Sequence, residues 1–332
     1  MNKFLLSLAA VLLSMAASAA NSSKTYTVTV VYDGTKATVT IPGEVSSYVS
    51  CTSGESSHVK IIQTSTAAKN PGEIIYSLKG QSDNGELYFV GEYKTTFRLD
   101  GLTLANPDSS AVHIKDGKRI KVSMTANTVN TLSDGVADST SKGCFHCKGH
   151  AEFAGKGTLN VSSVFNHAIY SKEYVEVKNC TLNITGAKKD GIHCGEYFLM
   201  TSGVLNISDV EDDGIQVELK DSIQTGTIKN HEDENSGNFY MTGGTLTINN
   251  VGAYCIKAYG SILFSGTGKQ NFDTQNMIES YATAINEIVS RNSDNRKFYY
   301  DLNGRRMPNE GMLPRGIYIV KEGDKARKIV VK

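Results

Sequence analysis

One phrase recurs in this chain at a fixed interval, and the interval limits what the chain can fold into. Gly157-Thr-Leu-Asn-Val-Ser is followed by Cys180-Thr-Leu-Asn-Ile-Thr and then by Gly203-Val-Leu-Asn-Ile-Ser, so Leu159, Leu182 and Leu205 stand 23 residues apart. A second phrase keeps step: Ala168-Ile-Tyr-Ser, Gly191-Ile-His-Cys and Gly214-Ile-Gln-Val place Ile169, Ile192 and Ile215 ten residues after each leucine. A fixed period of this length marks a repeat architecture. Both phrases alternate apolar and polar residues, which is strand periodicity. Gly, Asn and Asp break each repeat into short pieces with no room for a helix. The reading is all-β: a right-handed parallel β-helix with about 23 residues per coil.

The pattern continues in both directions. Downstream, Gly244-Thr-Leu-Thr-Ile-Asn and Cys255-Ile-Lys-Ala form the next coil, delayed by an insertion placed at Gln224 to Asn238. Upstream, Gly101-Leu-Thr-Leu and Ala111-Val-His-Ile keep the ten-residue offset, and Asn130-Thr-Leu-Ser-Asp-Gly and Cys144-Phe-His-Cys fill the coil between. Six coils are legible through Val112, Phe145, Ile169, Ile192, Ile215 and Ile256. Residues 21–98 hold a hairpin at 24–41 and further strands without clear phasing, read as irregular first coils and a cap. Residues 273–296 read as a linker. Met277, Ile278, Tyr281 and Ile285 also fit a helical face there. Residues 297–332 read as a small β-module of three short strands.

Alternation assigns the faces. Ile169 and Ser171 point inward and Tyr170 outward. Applied to every coil, this gives an outward column of His113, His146, Tyr170, His193, Gln216 and Lys257, on rungs about 4.8 Å apart. The next outward position adds Lys115, Lys148, Lys172, Glu218 and Tyr259. Such a stripe of donors and rings suits an extended polymer, and its cationic end suits carboxylated sugars. It is also what an ordinary solvated strand face contains. Tyr170 could stack on a sugar, and histidines titrating near pH 6.5 would favour an acidic ligand as the pH falls toward about 5.5. On this reading Tyr170 and His193 could be truncated together without harm to the fold.

A second column lies at the bend before each phrase: His167, Asp190, Asp213 and Tyr254. Asp212 adds charge beside Asp213, and Asp134 and Asp138 are read at the matching bend of an earlier coil. Clustered carboxylates at turns suit Ca²⁺. Asp before Gly is also common turn chemistry, and Lys188 and Lys189 oppose the acidic run. Cys144-Phe-His-Cys-Lys-Gly-His150 has metal-ligand spacing, but on a strand Cys147 faces in and His146 out, which disfavours a shared zinc ion. Asn160, Asn183 and Asn206 resemble glycosylation acceptors only because strand alternation puts Ser or Thr two residues on.

The six cysteines read mostly as buried free thiols. Cys147 and Cys194 share an inward column but are two coils apart, about 9.6 Å, beyond the roughly 7 Å that a disulfide spans. Cys51 lies outside the register. A formal net charge of zero argues against nonspecific nucleic-acid binding by bulk charge. Lys3, the apolar run Phe4 to Ala17 and the small residues Ala17-Ser-Ala19 read residues 1–20 as a signal peptide, so the chain is expected outside the cytoplasm.

Two resemblances follow from these motifs. Thr-Leu-Asn-Ile followed by Asp-Gly-Ile, with Asn130-Thr-Leu-Ser-Asp-Gly and Gly101-Leu-Thr-Leu upstream, resembles a bacterial, calcium-associated β-helix carbohydrate-binding family that is polysaccharide-lyase-like. The likeness spans roughly residues 74–268 and implies plant cell-wall glycans, acidic ones included, with calcium. Tyr300-Asp-Leu-Asn-Gly-Arg-Arg and Leu313-Pro-Arg-Gly-Ile-Tyr-Ile-Val resemble the C-terminal module of exported Bacteroidetes proteins, related to type IX secretion sorting domains. That implies a contact with secretion machinery. Three functions stay open on the sequence: a non-catalytic polysaccharide binder, a lyase acting on uronates, and a surface adhesin or structural solenoid.

Overall fold

The computed structural model describes residues 25–52, 54–64, 72–135, 140–219, 237–272, 278–280, 297–301, 306–307, 313–322 and 325–331. The leader, Asp138, most of the insertion and most of the 273–296 linker lie outside the described residues.

The repeat becomes a solenoid with three strands per coil. One coil runs Arg119–Met124, Val129–Asp134, Gly143–Cys147, and the next runs His150–Gly155, Thr158–Ser162, His167–Ser171. Equivalent strands pair in parallel from coil to coil and form three faces. The first face holds Arg119–Met124, His150–Gly155, Val175–Lys178, Tyr197–Met200, Asn238–Met241 and Ile262–Phe264. The second holds the Thr-Leu-Asn strands, and the third the Ile phrases. Thr95–Asn106 serves two faces. Its first half pairs with Arg119–Met124 and its second half with Val129–Asp134. Gly101, at φ 76°, lies between the halves, in the left-handed region that glycine enters without a Cβ penalty.

Inward side chains stack in columns. Leu159, Leu182, Leu205 and Leu246 are in register and fully buried. The Ile column of the third face begins earlier than the period shows. Val59 pairs with Leu87 and Leu87 with Val112, at spacings of 28 and 25 residues. The irregular spacing hid these coils from a 23-residue reading. Ile74–Ser82 likewise stacks between Tyr26–Asp33 and Thr95–Asn106. The N-terminal strands are therefore continuous with the solenoid sheets. At the other end, Ile278–Ser280 is a strand paired with Ile256–Ala258, which corrects the helical reading at these residues. A strand carries Ile256 one rung further, whereas a helix would leave that edge unpaired. Asn238, assigned to the insertion, instead opens a strand in register with Tyr197.

Asn130 occupies the leucine column between Leu102 and Leu159 and is fully buried. Its Oδ1 accepts the backbone N–H groups of Gly101 at 3.0 Å and Leu102 at 2.9 Å. Its Nδ2 donates to Thr128 Oγ1 at 3.1 Å and to the Thr158 carbonyl at 3.0 Å. All six cysteines are free, and five are buried. The C-terminal residues form a four-stranded antiparallel sheet around Tyr299, Leu313, Tyr318 and Val320. Among the described residues no helix is long and apolar enough to cross a membrane.

Candidate functional site

Strand alternation on the third face puts one outward side chain per rung in a single file. Lys60, Tyr88, His113, His146, Tyr170, His193, Gln216 and Lys257 are successive register partners. The six outward residues picked from the sequence therefore form one ladder. Lys60 and Tyr88 extend it and were missed, because their coils break the 23-residue period. The Leu87-Tyr-Phe-Val alternation was the available signal.

The rings pack on one another. His113 lies 4.3 Å from His146 at 17°, and Tyr170 lies 5.4 Å from His193 at 19°. His146 meets Tyr170 edge-on at 86°. Lys142 Nζ sits 4.9 Å from the Tyr170 ring centre and 3.3 Å from its hydroxyl. Tyr88 is flanked by Lys60 at 5.6 Å and Lys115 at 5.4 Å. This corrects the expectation that Tyr170 offers an open face to a sugar, since His193 and Lys142 cover it. The ladder presents ring edges, a phenol hydroxyl and ammonium groups, all of them hydrogen-bond formers. Lys115, Lys148 and Lys172 lie alongside on adjacent rungs, exposed. The N-terminal half is thus the cationic half.

Further along, charges are paired. His193 Nδ1 meets Asp190 Oδ2 at 2.8 Å and its Nε2 meets Glu218 Oε2 at 3.3 Å. Burial alone would lower the His193 pKa, but its bonds to Asp190 and Glu218 hold it up at about 9. Asp190 is driven down to about 2, against its burial, by the imidazoles of His167 and His193 beside its carboxyl. His167 is lowered, chiefly by burial. Near neutral pH His193 is charged and His167 neutral, so neither supplies the ligand response near pH 6.5 expected from the sequence. His193 is also 9 % exposed, covered by its neighbours on the ladder. Its removal cannot leave the fold untouched, as the sequence reading supposed.

We expect His193→Ala to cost about 1–3 kcal/mol, because it strips a buried carboxylate of a charged partner. Lys172→Ala, on the exposed row, should stay within about 0.5 kcal/mol. Guanidinium unfolding followed by circular dichroism compares the two. Equal midpoints would mean that the Asp190 pair contributes nothing.

The carboxylates proposed for calcium are distributed unevenly. Asp190, Asp212 and Asp213 bring carboxylate oxygens within 4.8 Å of one another. Asp190 Oδ2 is engaged by imidazoles, and its Oδ1 accepts the Asp213 N–H at 3.2 Å. Asp213 is fully buried; its Oδ1 accepts the Tyr254 N–H at 3.0 Å, and Lys257 Nζ stands 3.4 Å from its Oδ2. These bonds tie successive bends together. Two imidazoles and an ammonium at the carboxylates fit poorly with a hard, oxygen-seeking cation. Asp134 stands apart. It accepts from Ser163 Oγ at 2.6 Å and from the Val164 N–H at 2.8 Å, and burial raises its pKa to about 6. Cys144 and Cys147 are buried while His146 is outward, so the Cys-Phe-His-Cys spacing builds no metal site.

The first face carries a second ring column that the sequence reading missed. His150 stacks on Tyr174 at 4.4 Å, and Tyr174 on Tyr197 at 4.6 Å. Arg119 bridges Glu73 at 2.8 Å and Glu152 at 3.3 Å beside it.

Comparison with known proteins places this architecture. The family model described as carbohydrate-binding domain-containing protein matches residues 55–306. The chain belongs to this carbohydrate-binding domain family. A curated carbohydrate-binding domain-containing protein from Acetivibrio thermocellus is 24% identical over 104 residues, covering 29% of this chain and 36% of the relative. The chain thus spans about a third of that relative's length. A solved polysaccharide lyase-like protein from C. thermocellum, a gadolinium derivative, superposes with a TM-score of 0.56 at 18% identity. It covers 76% of this chain and 99% of its own. The structural likeness concerns the fold, and the residues that the family model matches include the parallel solenoid that carries the ladder.

Proposed function

We propose that this carbohydrate-binding domain protein is a non-catalytic binder of an extended, acidic polysaccharide, which it holds along the third face. The observation that carries this reading is the unbroken file from Lys60 to Lys257, flanked by Lys115, Lys148 and Lys172. The file crosses the rungs, so a polymer would run along the solenoid axis. Ring edges and ammonium groups suit hydroxyls and carboxylates, and the lysines of the N-terminal half favour uronates there. Rigid rungs keep these donors in place before the ligand arrives, which lowers the ordering cost of binding.

Calorimetry against polygalacturonate, cellulose oligosaccharides and neutral glycans, with and without Ca²⁺, tests the proposal. Polygalacturonate should bind best, and Lys148→Ala with Lys172→Ala should weaken it at least about tenfold, since two charge-assisted contacts are worth roughly 1.5–3 kcal/mol each. Silence across the panel would sink the reading. Ultraviolet-absorbing unsaturated product in the same cell would replace it with a lyase.

We further propose that the chain is exported, on the strength of the Phe4 to Ala17 run, and that the C-terminal sheet serves sorting. Truncation before residue 297 that leaves export unchanged would remove the sorting role.

A further inference from the structure

The side chains around Asp190 have a geometry that a charge clamp alone does not require. Asp190 Oδ2 lies 2.8 Å from His193 Nδ1 and 3.2 Å from His167 Nδ1, and the three ligand atoms lie within 4.8 Å of one another. An ion held at about 2.0–2.2 Å by imidazole nitrogen and carboxylate oxygen separates its ligand atoms by roughly 3 Å. The two spacings from Asp190 to the imidazoles match that.

The surrounding hydrogen bonds point the same way. His193 turns Nδ1 to the cluster and Nε2 to Glu218 at 3.3 Å, and Gln216 Nε2 holds the other Glu218 oxygen at 3.0 Å. An imidazole whose far N–H is fixed by a carboxylate, itself fixed by a further donor, is the arrangement that orients histidine ligands and raises their basicity. Asp190 Oδ1 is anchored by the Asp213 N–H. His167 Nδ1 accepts the backbone N–H of Asp190 at 3.1 Å, so it is an unprotonated nitrogen. It nevertheless faces an anionic oxygen 3.2 Å away. Two lone-pair atoms that close are stabilised by a cation shared between them. That cation would take over the His167 lone pair from the N–H. Lys189 acts on His167 from the bend and opposes the charge of a cation, while Asp212 and Asp213 favour it.

We infer that His167, Asp190 and His193 form a site for one divalent transition-metal ion of the zinc class. Glu218 is the positioning residue for His193. The donor set has two nitrogens and one oxygen, which selects zinc, cobalt or nickel over calcium. Two adjacent coils supply the ligands, so the ion would staple neighbouring rungs at the ladder's edge.

The test uses the full chain without a histidine tag, treated with EDTA and desalted. Titration with Zn²⁺ should give one ion per chain by calorimetry. Co²⁺ should give a visible ligand-field band without the near-ultraviolet thiolate band that a cysteine site would add. His167→Ala should abolish both signals, and Glu218→Gln should weaken binding about ten- to a hundredfold. His150→Ala, on the first face, should leave them unchanged. If His193→Gln fails to fold, His167→Ala and Glu218→Gln still decide. The site is overturned if the native chain binds neither metal, if it answers only to Ca²⁺, if binding survives His167→Ala, or if His150→Ala removes it.

Discussion

Ile192→Asp unfolds the solenoid. Ile192 is fully buried, between Ile169 and Ile215 in the third-face column. The substitution removes an apolar side chain, which costs about 2–5 kcal/mol for large-to-small changes in cores. It also buries a carboxyl with no partner on the inner side, at several kcal/mol more, even where the group neutralises itself by taking up a proton. A domain of ordinary stability holds about 5–15 kcal/mol in all. The defect sits mid-stack, so both neighbouring coils lose a partner. The expected result is loss of the cooperative thermal transition in circular dichroism and recovery of the protein in the insoluble fraction. Ile192→Val, which keeps the column apolar, should cost only about 0.5–1.5 kcal/mol. A cooperative melt for Ile192→Asp within about 1 kcal/mol of the parent would mean that the interior is wet at this rung.

Gly155→Ala should also be strongly destabilising. Gly155 sits at φ 112°, and a Cβ built there would lie 2.1 Å from the Met124 carbonyl oxygen of the preceding rung. Backbone in that region costs a non-glycine residue about 1–3 kcal/mol. The carbonyl belongs to the parallel pairing of His150–Gly155 with Arg119–Met124, so it cannot retreat without parting two rungs. The combined cost should reach several kcal/mol. Gly117→Ala is the control. Its φ is ordinary and nothing lies within 4 Å of the new methyl group, so stability should hold or rise by about 0.4–1 kcal/mol. The denaturant midpoint of Gly155→Ala should fall well below the parent's and that of Gly117→Ala should not. If the Gly155→Ala midpoint does not fall, the close approach at Gly155 is not rigid.

What the sequence made legible is what periodicity encodes. The Leu159 and Ile169 phrases repeat because equivalent residues stack, so period, register and face could be read for six coils. The ladder followed, because a strand period of two has no other solution once Ile169 faces in. The coils through Val59 and Leu87 escaped, since register is kept by hydrogen bonding between rungs and tolerates loops of any length. Tyr76, Leu78 and the other buried residues there give no period to read. The state of the ladder was also hidden. Alternation tells which side of a strand His193 leaves from, but only packing tells that Tyr170 covers it and that Glu218, one coil further on, closes on its far nitrogen. The backbone bonds that Asp190 and Asp213 accept from the next bend were hidden too, because turn carboxylates and metal carboxylates share a composition.

The buried amide of Asn130 bears on how the chain finds its own frame. A stack of near-identical coils is nearly symmetric under translation: coil n can pair with coil n+2 and bury almost the same leucines. Such a slip misplaces every later rung while costing few contacts. Asn130 breaks that symmetry. Its four bonds reach the coil before it, at Gly101 and Leu102, and the coil after it, at Thr158. The leucines that follow it, Leu159, Leu182, Leu205 and Leu246, have no side-chain amide to supply these bonds, and the next carboxamide in the column, Gln270, stands at its far end. A chain that skips a coil strands this group in an apolar stack, at about 1–3 kcal/mol for each buried donor or acceptor left unmade. Asn130 therefore works as an index mark, telling otherwise interchangeable coils where counting begins.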